Sequence, residues 1–512
     1  METTTFSRKS KELPLLGSSI PRTELSDILE VSIELLDRFP EIHERIEADL
    51  NRHGIEKKRK RLKDRAWEMN HHGELPGFET DEYMEPKDLE LETGRDRTMT
   101  PVITYIFIML RGYFSSVSAS RAIDRIRDSK VVDVYIKTYG NGEMPGRSTA
   151  HENVNAISED TKDYIHQCQL KMVLAEGLDD FSELILDSTA VKADSCWPTD
   201  SGVLCDIVHR GYRKSQRLNE LFGIPNFMEG YMDLWLGNIK RYQFQISVTS
   251  GNGAKVKRRS IYRKLYKEVE KVVRHMRSEL RKHCSIKEAA HLPPSRRERL
   301  DKFWDSIADD MDDAELVLSY SRERIINEKD TDTEKIVSLC DGSAAFISKG
   351  GRETIVGYRP QVGRSGNGFV TVLHVPEGNA SDAPQLESLV KMVIENTGIA
   401  PRIVSTDDGY SSKKGRDALL KIDGIDAVSI SGSKGKNLIS DEEWESVLYK
   451  EARRNRSAVE SLMFVLKYSY EFSRLRRRGI EAVREELIEK AIVHNFSRVA
   501  LMRRRNKIPE AG

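Results

Sequence analysis

The chain has 512 residues, and its 82 Lys and Arg are balanced by 82 Asp and Glu. This length allows about two to four domains with a sizeable core, and five cysteines without CxxC or Cys/His spacing argue against a disulfide framework or a zinc site. The longest apolar run, residues 101–110, is too short to span a bilayer, and the first residues lack a signal-peptide core. We therefore expect a cytoplasmic protein that does not contact a membrane.

The first 178 residues indicate helices. Residues 1–95 are polar and charged, and no chemistry can be assigned to them. Two adjoining helices around 116–130 allow a helix-turn-helix that binds DNA, and a structural or dimerising bundle is the alternative. The predicted elements are helical patches around 24–51 and 56–70, a loop over 73–87, and helices over 101–114, 115–128 and after 145–149.

A buried strand is predicted immediately before Asp187. Leu184, Ile185 and Leu186 are apolar on both faces, as in a central strand. A carboxylate in a central strand is costly unless it is paired or binds a metal. The competing interpretation is a strand-end aspartate that caps the next helix.

A long helical stretch, roughly residues 202–330, follows this strand. Apolar residues recur at spacings of three and four from Ile261 to Leu280, which predicts an amphipathic helix with a basic opposite face. Residues 251–300 hold 16 Lys and Arg against five Asp and Glu. Such a surface suits packing, dimerisation or contact with flanking DNA, although charged helix faces are often only solvated.

Strands return after residue 335 and lead to a second acid. The short β-branched run Ile403–Val404 ends in Asp407 and Asp408, and Gly409 forms a turn after them. The order of strands and helices fits a mixed sheet with helices on its faces. The predicted elements are strands over 335–339, 344–348, 353–359 and 369–375, a hairpin turn at 348–352, a helix over 383–396, and strands ending at 406 and over 426–431.

A helix near the C-terminal end carries a third acid. Six charged residues fall on one line of a helix that runs through residue 478, opposite an apolar face. A solvated face of an ordinary amphipathic helix would look the same. The six residues are Arg456, Glu460, Lys467, Glu471, Arg474 and Arg478.

Two strand-end aspartates and a later helical glutamate form the ligand set of a two-metal site. Asp187, Asp407 and Glu460 would supply oxygen ligands to Mg²⁺ or Mn²⁺ ions that activate the attacking oxygen and stabilise the leaving oxygen of a phosphodiester.

Several sequence blocks resemble those of bacterial insertion-sequence transposases of the Asp-Asp-Glu class. The blocks DSTAV (187–191), WPTDSGVL (197–204), GYR (357–359), GNASD (378–382) and TDDGY (406–410) occur in the family's order. Arg456, Glu460 and Lys467 reproduce the Arg-x3-Glu-x6-Lys signature around the third acid. Arg453 stands where the family has a tyrosine, which leaves that tyrosine's role open.

The resemblance implies an α/β catalytic domain with a ribonuclease H-like mixed sheet, interrupted by an all-α insertion and preceded by an all-α N-terminal domain. The domains implied are a charged helical region (1–95), a helical domain with possible DNA binding (96–178), the catalytic domain (179–205 plus 335–480), a basic all-α insertion (206–334) and a basic C-terminal tail (481–512).

The resemblance also implies the chemistry. Asp187, Asp407 and Glu460 would be catalytic and would bind Mg²⁺, or Mn²⁺ as its substitute. The partners would be double-stranded DNA, as terminal inverted repeats and target DNA, and a second copy of the chain in a synaptic complex at the nucleoid. The expected DNA-binding residues are Arg456, Lys467, Arg474, Arg477 and Arg478.

Three other carboxylates were weighed against this set. Asp200 is expected to cap a helix, and Asp194 and Asp408 are the next candidates for metal ligands.

Three other functions remain open from the sequence. One is a metal-dependent nuclease or resolvase of the same fold, which cuts DNA without joining it. The second is a catalytically inactive, transposase-derived DNA-binding protein. The third is a helical scaffold whose carboxylates are coincidental.

Overall fold

A computed structural model of the chain describes residues 23–71, 97, 99–114, 119–195, 199–230, 232–284, 292–333, 335–348 and 353–507. The chain divides into two compact units. The first comprises Met1–His53, Arg95–Asp194 and Ala345–Gly512, and the second comprises Gly54–Gly94 and Ser195–Ala344. Within the described ranges, no helix combines the length and apolarity that crossing a membrane requires.

The described residues form eighteen α-helices, a π-helical turn at Ser321–Ile326, and short 3-10 turns at Ala383–Gln385 and Asp408–Tyr410. The helices are α1 (Glu24–Arg38), α2 (Glu41–His71), α3 (Pro101–Tyr113), α4 (Ala119–Arg127), α5 (Lys130–Tyr139), α6 (Arg147–Asn155), α7 (Glu159–Ala175), α8 (Asp200–Phe222), α9 (Met232–Val248), α10 (Ala254–Cys284), α11 (Pro294–Tyr320), α12 (Leu386–Thr397), α13 (Lys413–Leu419), α14 (Ser433–Lys436), α15 (Asp441–Glu445), α16 (Val447–Asn455), α17 (Ala458–Ser469) and α18 (Ile480–Lys507).

Two sheets lie in the first unit. The larger has the strand order β6-β5-β1-β7-β8, in which β1 runs parallel to β7 and β7 to β8, whereas β5 and β6 are antiparallel to their neighbours. The smaller is antiparallel, in the order β2-β4-β3. The strands are β1 (Glu183–Ser188), β2 (Val191–Lys192), β3 (Ala345–Ile347), β4 (Ile355–Tyr358), β5 (Gln361–Ser365), β6 (Val370–His374), β7 (Ile403–Thr406) and β8 (Ala427–Ile430).

The prediction that Leu184–Leu186 form a central strand is confirmed, because β1 is the middle strand of the larger sheet and all three side chains are buried. Side chains alternate between the faces of a strand. Leu184 and Leu186 pack with α12 and with Val404 of β7 in one apolar core. Ile185 and Asp187 therefore belong to the opposite face.

The sequence prediction missed β5, the strand that pairs with β1. Its residues, QVGRS, lack a continuous apolar run, and Gln361 and Ser365 are nevertheless fully buried. A Cβ atom at Gly363 would lie 2.6 Å from Val372 Cγ1, so glycine lets the chain pass close to β6. The hydrogen bonds of Gln361 and Ser365 to aspartates elsewhere in the fold, which the sequence does not reveal, make their burial possible.

The strand predicted over residues 335–339 is wrong. No strand forms there, and Leu339 joins the apolar core of the second unit, where Val317 and Leu318 of α11 also lie. Burial against helices thus replaces sheet pairing for this short apolar run. The predicted loop at 73–87, the hairpin turn at 349–352 and the start of the helix at 115–118 lie outside the described residues.

The second unit consists of helices in its described part. The apolar face predicted from Ile261 to Leu280 is confirmed in α10, whose Leu265, Val269 and Val272 are fully buried against α8, α9 and α11. A Cβ atom at Gly211 of α8 would lie 2.2 Å from Met276 Cε, so glycine leaves room here for the end of the Met276 side chain.

In the predicted basic tail over 481–512, the described residues up to Lys507 belong to α18, which packs against α1, α3, α7 and β6. Val483, Leu487, Ile492 and Phe496 of this helix are buried. The sequence prediction counted the basic residues and overlooked these apolar ones. Two of the arginines are also used internally: Arg503 pairs with Glu34 and Glu176, and Arg504 pairs with Asp27.

A buried ionic cluster joins α18 to the helices around it. The Glu489 carboxylate accepts hydrogen bonds from Arg111 Nε of α3 at 2.9 Å and from Arg477 Nη2 at 2.6 Å, and Lys162 Nζ of α7 lies 3.6 Å away. Burial raises the pKa of Glu489, but Arg111, Arg477 and Lys162 outweigh it and lower the pKa from 4.5 to about 2. The ionised glutamate therefore compensates three cations in the interior.

We expect Glu489→Gln to destabilise the first unit by about 3–5 kcal/mol, because it leaves buried cations without their counter-ion. Since the folded pKa lies below the unfolded one, this stabilisation is complete above about pH 4.5 and is lost as the pH falls towards 2. Urea denaturation of both proteins between pH 7 and pH 3 measures the effect. Asp133→Asn, which breaks an exposed ion pair with Lys137, is the control and should change stability by no more than about 0.5 kcal/mol.

Candidate active site

The two predicted aspartates lie at the same edge of the larger sheet. β1 and β7 are parallel neighbours with Ile185 opposite Ser405, and Asp187 and Asp407 each lie two residues further along. Asp187 Oδ1 accepts a hydrogen bond from Ser188 N at 2.7 Å, and Asp407 Oδ1 accepts one from Gly409 N at 2.9 Å. The strand register therefore brings together the two acids that the sequence analysis selected.

A third aspartate, Asp382, lies beside this pair and was missed as a site residue. A Cβ atom at Gly409 would lie 2.8 Å from Asp382 Oδ2 and 2.9 Å from Asp407 Oδ1, so both carboxylates border this glycine. Asp382 is almost fully buried and ion-pairs with Arg359. The GNASD block contained this residue, but nothing in the local pattern predicts its burial.

A hydrogen-bond network connects these groups beneath the sheet edge. Ser188 Oγ donates to Asp382 Oδ2 at 3.1 Å, and Gln361 Nε2 donates to Asp382 Oδ1 at 2.8 Å. The Tyr410 hydroxyl, which is fully buried, donates to Gln361 Oε1. Asp382 thereby couples the ends of β1 and β5 to the turn that follows β7.

The charges of these three carboxylates also act on Tyr410. Burial raises the pKa of the Tyr410 hydroxyl well above 10, and the negative charges of Asp382, Asp187 and Asp407 raise it further. Tyr410 therefore remains protonated and keeps its role as a hydrogen-bond donor.

Helix α17, which carries Glu460, packs against β1. Ser405 Oγ of β7 donates to the carbonyl of Ala452 in α16, so α16 covers the sheet face on which Ser405 and Asp407 lie. Val459, Leu462, Met463 and Leu466 form the buried side of α17. On a helix of 3.6 residues per turn, Glu460 lies about 100° from this side and is exposed.

The helix predicted through residue 478 is wrong beyond Ser469, where α17 ends. Glu471 adopts a left-handed conformation with φ 55°, and Phe472 N donates to Leu466 O at 3.0 Å. The chain leaves the helix because Phe472 and Leu475 are buried against the rest of the unit. Glu471, Arg474 and Arg478 consequently do not continue the helical line of Glu460.

The segment after α17 runs alongside β2. Lys192 N donates to Ser473 O at 3.0 Å, and Leu475 N donates to Lys192 O at 2.8 Å. Lys192 and Arg474 are thus direct neighbours in a parallel bridge, and both side chains are exposed. Like charges on neighbouring strands repel each other, so this pair favours a bound anion.

The remaining predicted DNA-binding residues have different surroundings. Arg477 pairs with Glu489 and Glu485 inside the ionic cluster, so its guanidinium is already ion-paired within the chain. Arg478 is exposed and donates to Asp194 Oδ2 at 3.0 Å. The Arg456 Nε atom is buried without a hydrogen-bond partner in the described part of the chain, and Lys467 of α17 is half-buried.

Arg453, at the position of the family's tyrosine, has a packing role. Its guanidinium lies 3.8 Å from the ring centroid of Trp444, and its Nη2 donates to the Trp444 carbonyl at 3.0 Å. These contacts join α16 to α15.

The three carboxylates outside the predicted ligand set are used elsewhere. Asp408 accepts hydrogen bonds from the backbone N–H groups of Lys434 and Gly435 at the start of α14. Asp194 pairs with Arg478. The cap predicted at Asp200 is wrong: Thr199 caps α8 by accepting from Gly202 N, and Asp200 is the first helical residue and pairs with Lys335. The beginning of the block around this cap, residues 196–198, lies outside the described residues.

Carboxylates neutralise much of the basic charge predicted in α10. Arg274 pairs with Glu270, and Arg277 pairs with Asp312 and Glu315 of α11. This part of the basic face is therefore an ion-paired helix surface.

The donor set at the sheet edge fits a hard divalent cation in part. Asp187 and Asp407 are adjacent carboxylates of the kind that Mg²⁺ prefers. In the described ranges, however, no group of three or more His, Cys, Asp or Glu side chains is arranged so that it could hold a metal ion. The two aspartates thus fit as first ligands, and Glu460 does not join them in this conformation.

Comparison with known proteins supports the same chemistry. Residues 332–496, about a third of the chain, match a family model described as the transposase DDE domain. The match includes Asp407 and Glu460, and Asp187 precedes it. No curated protein and no solved structure gave a significant match. The prediction of a DDE transposase is confirmed at the level of this domain.

We expect Asp382→Asn to destabilise the first unit by about 3 kcal/mol, because the substitution leaves the Arg359 guanidinium, which is 17% exposed, without its carboxylate. Guanidinium chloride denaturation measures the change. Glu377→Gln, at an exposed position of the same connection, is the control and should stay within about 0.5 kcal/mol of the wild type. Equal stability of all three proteins would remove Asp382 from the network.

Proposed function

We propose that this chain, which carries a transposase DDE domain, is the transposase of a bacterial insertion sequence. It binds the terminal inverted repeats of the element, hydrolyses a phosphodiester there, and transfers the resulting DNA end into target DNA. The observation that carries the proposal is the placement of Asp187 and Asp407 at the ends of adjacent parallel strands. The match of residues 332–496 supports it independently.

The proposal includes a ribonuclease H-like catalytic domain. In the order β6-β5-β1-β7-β8, strands β1, β7 and β8 are parallel, β5 is antiparallel to β1, and β6 is antiparallel to β5. This topology supports the assignment. Helices α8 to α11 separate β2 from β3 along the chain, as expected for an all-α insertion over residues 206–334. The helices α3 to α7 correspond to the proposed N-terminal domain, with or without DNA binding.

Asp187, Asp407 and Glu460 are the proposed ligands of Mg²⁺, or of Mn²⁺ in its place. Bound there, the metal would lower the pKa of a water molecule and stabilise charge on the attacking and leaving oxygens. The exposed position of Glu460 on a helix that packs against β1 supports its role, because β1 is the strand that carries Asp187. Completing the set requires the Glu460 side chain to approach them when DNA is bound.

The residues around the acids would orient the reacting groups. Asp187 and Asp407 are held by the backbone N–H groups of Ser188 and Gly409, which fixes the direction of each carboxylate. Water would attack the phosphorus first, and the 3′ hydroxyl that it frees would attack the target strand next. Arg456 and Lys467 are proposed to contact phosphates or, for Arg456, to orient Glu460.

The proposed DNA surface extends along the edge of β2. Arg474 and Arg478 are exposed there, and we add Lys192, which the sequence analysis did not select. Arg477 is left out because it neutralises Glu489. A homodimer that brings two DNA ends together, at the nucleoid of the cytoplasm, completes the proposal.

We expect Glu460→Gln to abolish metal-dependent cleavage at the boundaries of the element. Loss of an outer-shell partner costs about 10–100-fold in activity, so loss of a ligand should cost at least about 100-fold. The measurement is cleavage of a plasmid that carries the gene's native flanking DNA, with Mg²⁺, Mn²⁺ or EDTA. Asp187→Asn and Asp407→Asn should behave in the same way.

Glu451→Gln, an exposed acid on the neighbouring helix α16, is the matched control and should cleave like the wild type. Unchanged activity of Glu460→Gln would remove Glu460 from the mechanism. Cut ends that are never joined to new DNA would favour the nuclease or resolvase alternative. DNA binding without cleavage would favour the inactive DNA-binding protein.

We also expect the double variant Lys192→Gln, Arg474→Gln to bind DNA with a weaker dependence on salt. Each phosphate contact contributes about 0.9 to the slope of log K against log salt concentration, so the slope should fall by about 1.8. Fluorescence anisotropy between 50 and about 200 mM salt measures it. The control Lys137→Gln removes an exposed lysine that pairs with Asp133, and an equal fall in its slope would contradict the proposed surface.

A further inference from the structure

A basic cavity in the second unit has no role in the chemistry described above. Its volume is about 610 Å³, within the range of small-molecule sites. The beginnings of α8 and α10, the end of α9 and the π-helical turn at Ser321–Ile326 form its walls. Four cationic side chains line it, namely Lys255, Arg258, Arg259 and Arg324.

The acidic side chains that line the cavity neutralise its cations only in part. Glu328 pairs with Lys255 at 2.9 Å and with Arg259, so one carboxylate serves two cations. Arg258 Nε donates to the carbonyl of Thr249 at 2.8 Å, and among the described residues no carboxylate ion-pairs with Arg258. Arg324 pairs with Asp330, and Asp200, the other acid in the lining, pairs with Lys335. The cavity therefore carries an excess of positive charge.

Two uncommon backbone features adjoin Glu328. The π-helical turn precedes it, and such turns often occur at functional sites. Glu328 itself adopts a left-handed conformation with φ 53°, which is unfavourable for a residue with a side chain. The chain is held in this conformation by Asn327 N, which donates to Arg322 O, and by Lys329 N, which donates to Glu323 O, both at 2.9 Å. The fold thus keeps an acidic side chain against the basic residues at an energetic cost.

We propose that this cavity binds the phosphate group of a nucleotide, and that Glu328 occupies the position of that phosphate as an internal counter-ion. Guanidinium groups bind phosphate oxygens with charge-assisted hydrogen bonds, and Arg258 and Arg259 are adjacent in α10. Ile246 and Ile325 supply apolar walls for the rest of the nucleotide. On binding, the phosphate displaces the Glu328 carboxylate from Lys255 and Arg259. The nucleotide is either free or part of a polynucleotide strand.

The test measures binding rather than cleavage, so it does not depend on the proposed transposase activity. The full chain is titrated with ADP by calorimetry and with a fluorescein-labelled 20-base-pair duplex by anisotropy, both in EDTA. Three proteins are compared: the wild type, Arg259→Gln and Glu328→Gln. The matched controls are Lys271→Gln and Glu268→Gln, which break an ion pair on the same helix outside the cavity.

We expect opposite effects of the two cavity variants. Arg259→Gln should weaken binding roughly tenfold, the scale of a lost charge-assisted hydrogen bond, and Glu328→Gln should tighten it several-fold because the competing carboxylate is gone. The controls should match the wild type. This pattern with ADP identifies a free nucleotide as the ligand, and the pattern with the duplex alone identifies a polynucleotide.

Three results would overturn the proposal. The first is the absence of binding of either probe, and the second is an affinity of Glu328→Gln equal to or below that of the wild type. The third is an equal effect of Arg259→Gln and Lys271→Gln, which would mean that only overall charge matters. Intact boundary cleavage together with any of these results would leave the proposed transposase standing and remove the cavity site alone.

Discussion

The parallel register of β1 and β7 is the constraint on which the candidate site depends. It fixes Asp187 and Asp407 side by side, where two like charges repel each other. Two features offset this repulsion. Backbone N–H groups donate hydrogen bonds to both carboxylates, and the nearby Asp382 is ion-paired with Arg359. A shift in the pairing of β1 and β7 would separate the two aspartates from each other and from the hydrogen-bond network beneath them.

The helix that bears Glu460 is held from both of its ends. Before it, α16 is hydrogen-bonded to β7 through Ser405. After it, Glu486 of α18 accepts hydrogen bonds from the backbone N–H groups of Arg476 and Arg477, both at 2.9 Å, which fixes the segment beside β2. The position of α17 over the sheet thus follows from contacts with α18, far along the chain, as much as from its own apolar side.

Local patterns predicted the elements whose apolar residues form a continuous run or a regular period. Strand β1, strand β7 and helix α10 fall in this class. Because β1 and β7 were both predicted, the sequence also indicated that Asp187 and Asp407 end neighbouring strands. Strand β5 could not be found because Gln361 is buried only through its partners Asp382 and Tyr410. Burial that depends on distant partners leaves no periodic signal in the sequence.

For the same reason, local patterns could not predict where α17 ends or that α18 is a buried helix. Helical periodicity continued past Ser469, but tertiary burial of Phe472 and Leu475 was stronger than that preference. The basic residues of α18 suggested a tail, whereas Glu486, Glu489 and Lys490 compensate one another or their neighbours in the interior. Asp382 was passed over because its pairing with Arg359 is visible only in three dimensions.

The interior position of α18 also governs when the first unit can finish folding during synthesis. Domains fold as their residues leave the ribosome, from the N-terminal side onwards. Helices α1, α3 and α7 emerge early, yet they bury apolar surface and cations against a helix that ends at Lys507. Until that helix is made, Lys162 and Arg111 face water instead of Glu489. The nascent chain therefore acquires a complete first unit only after α18 has been made.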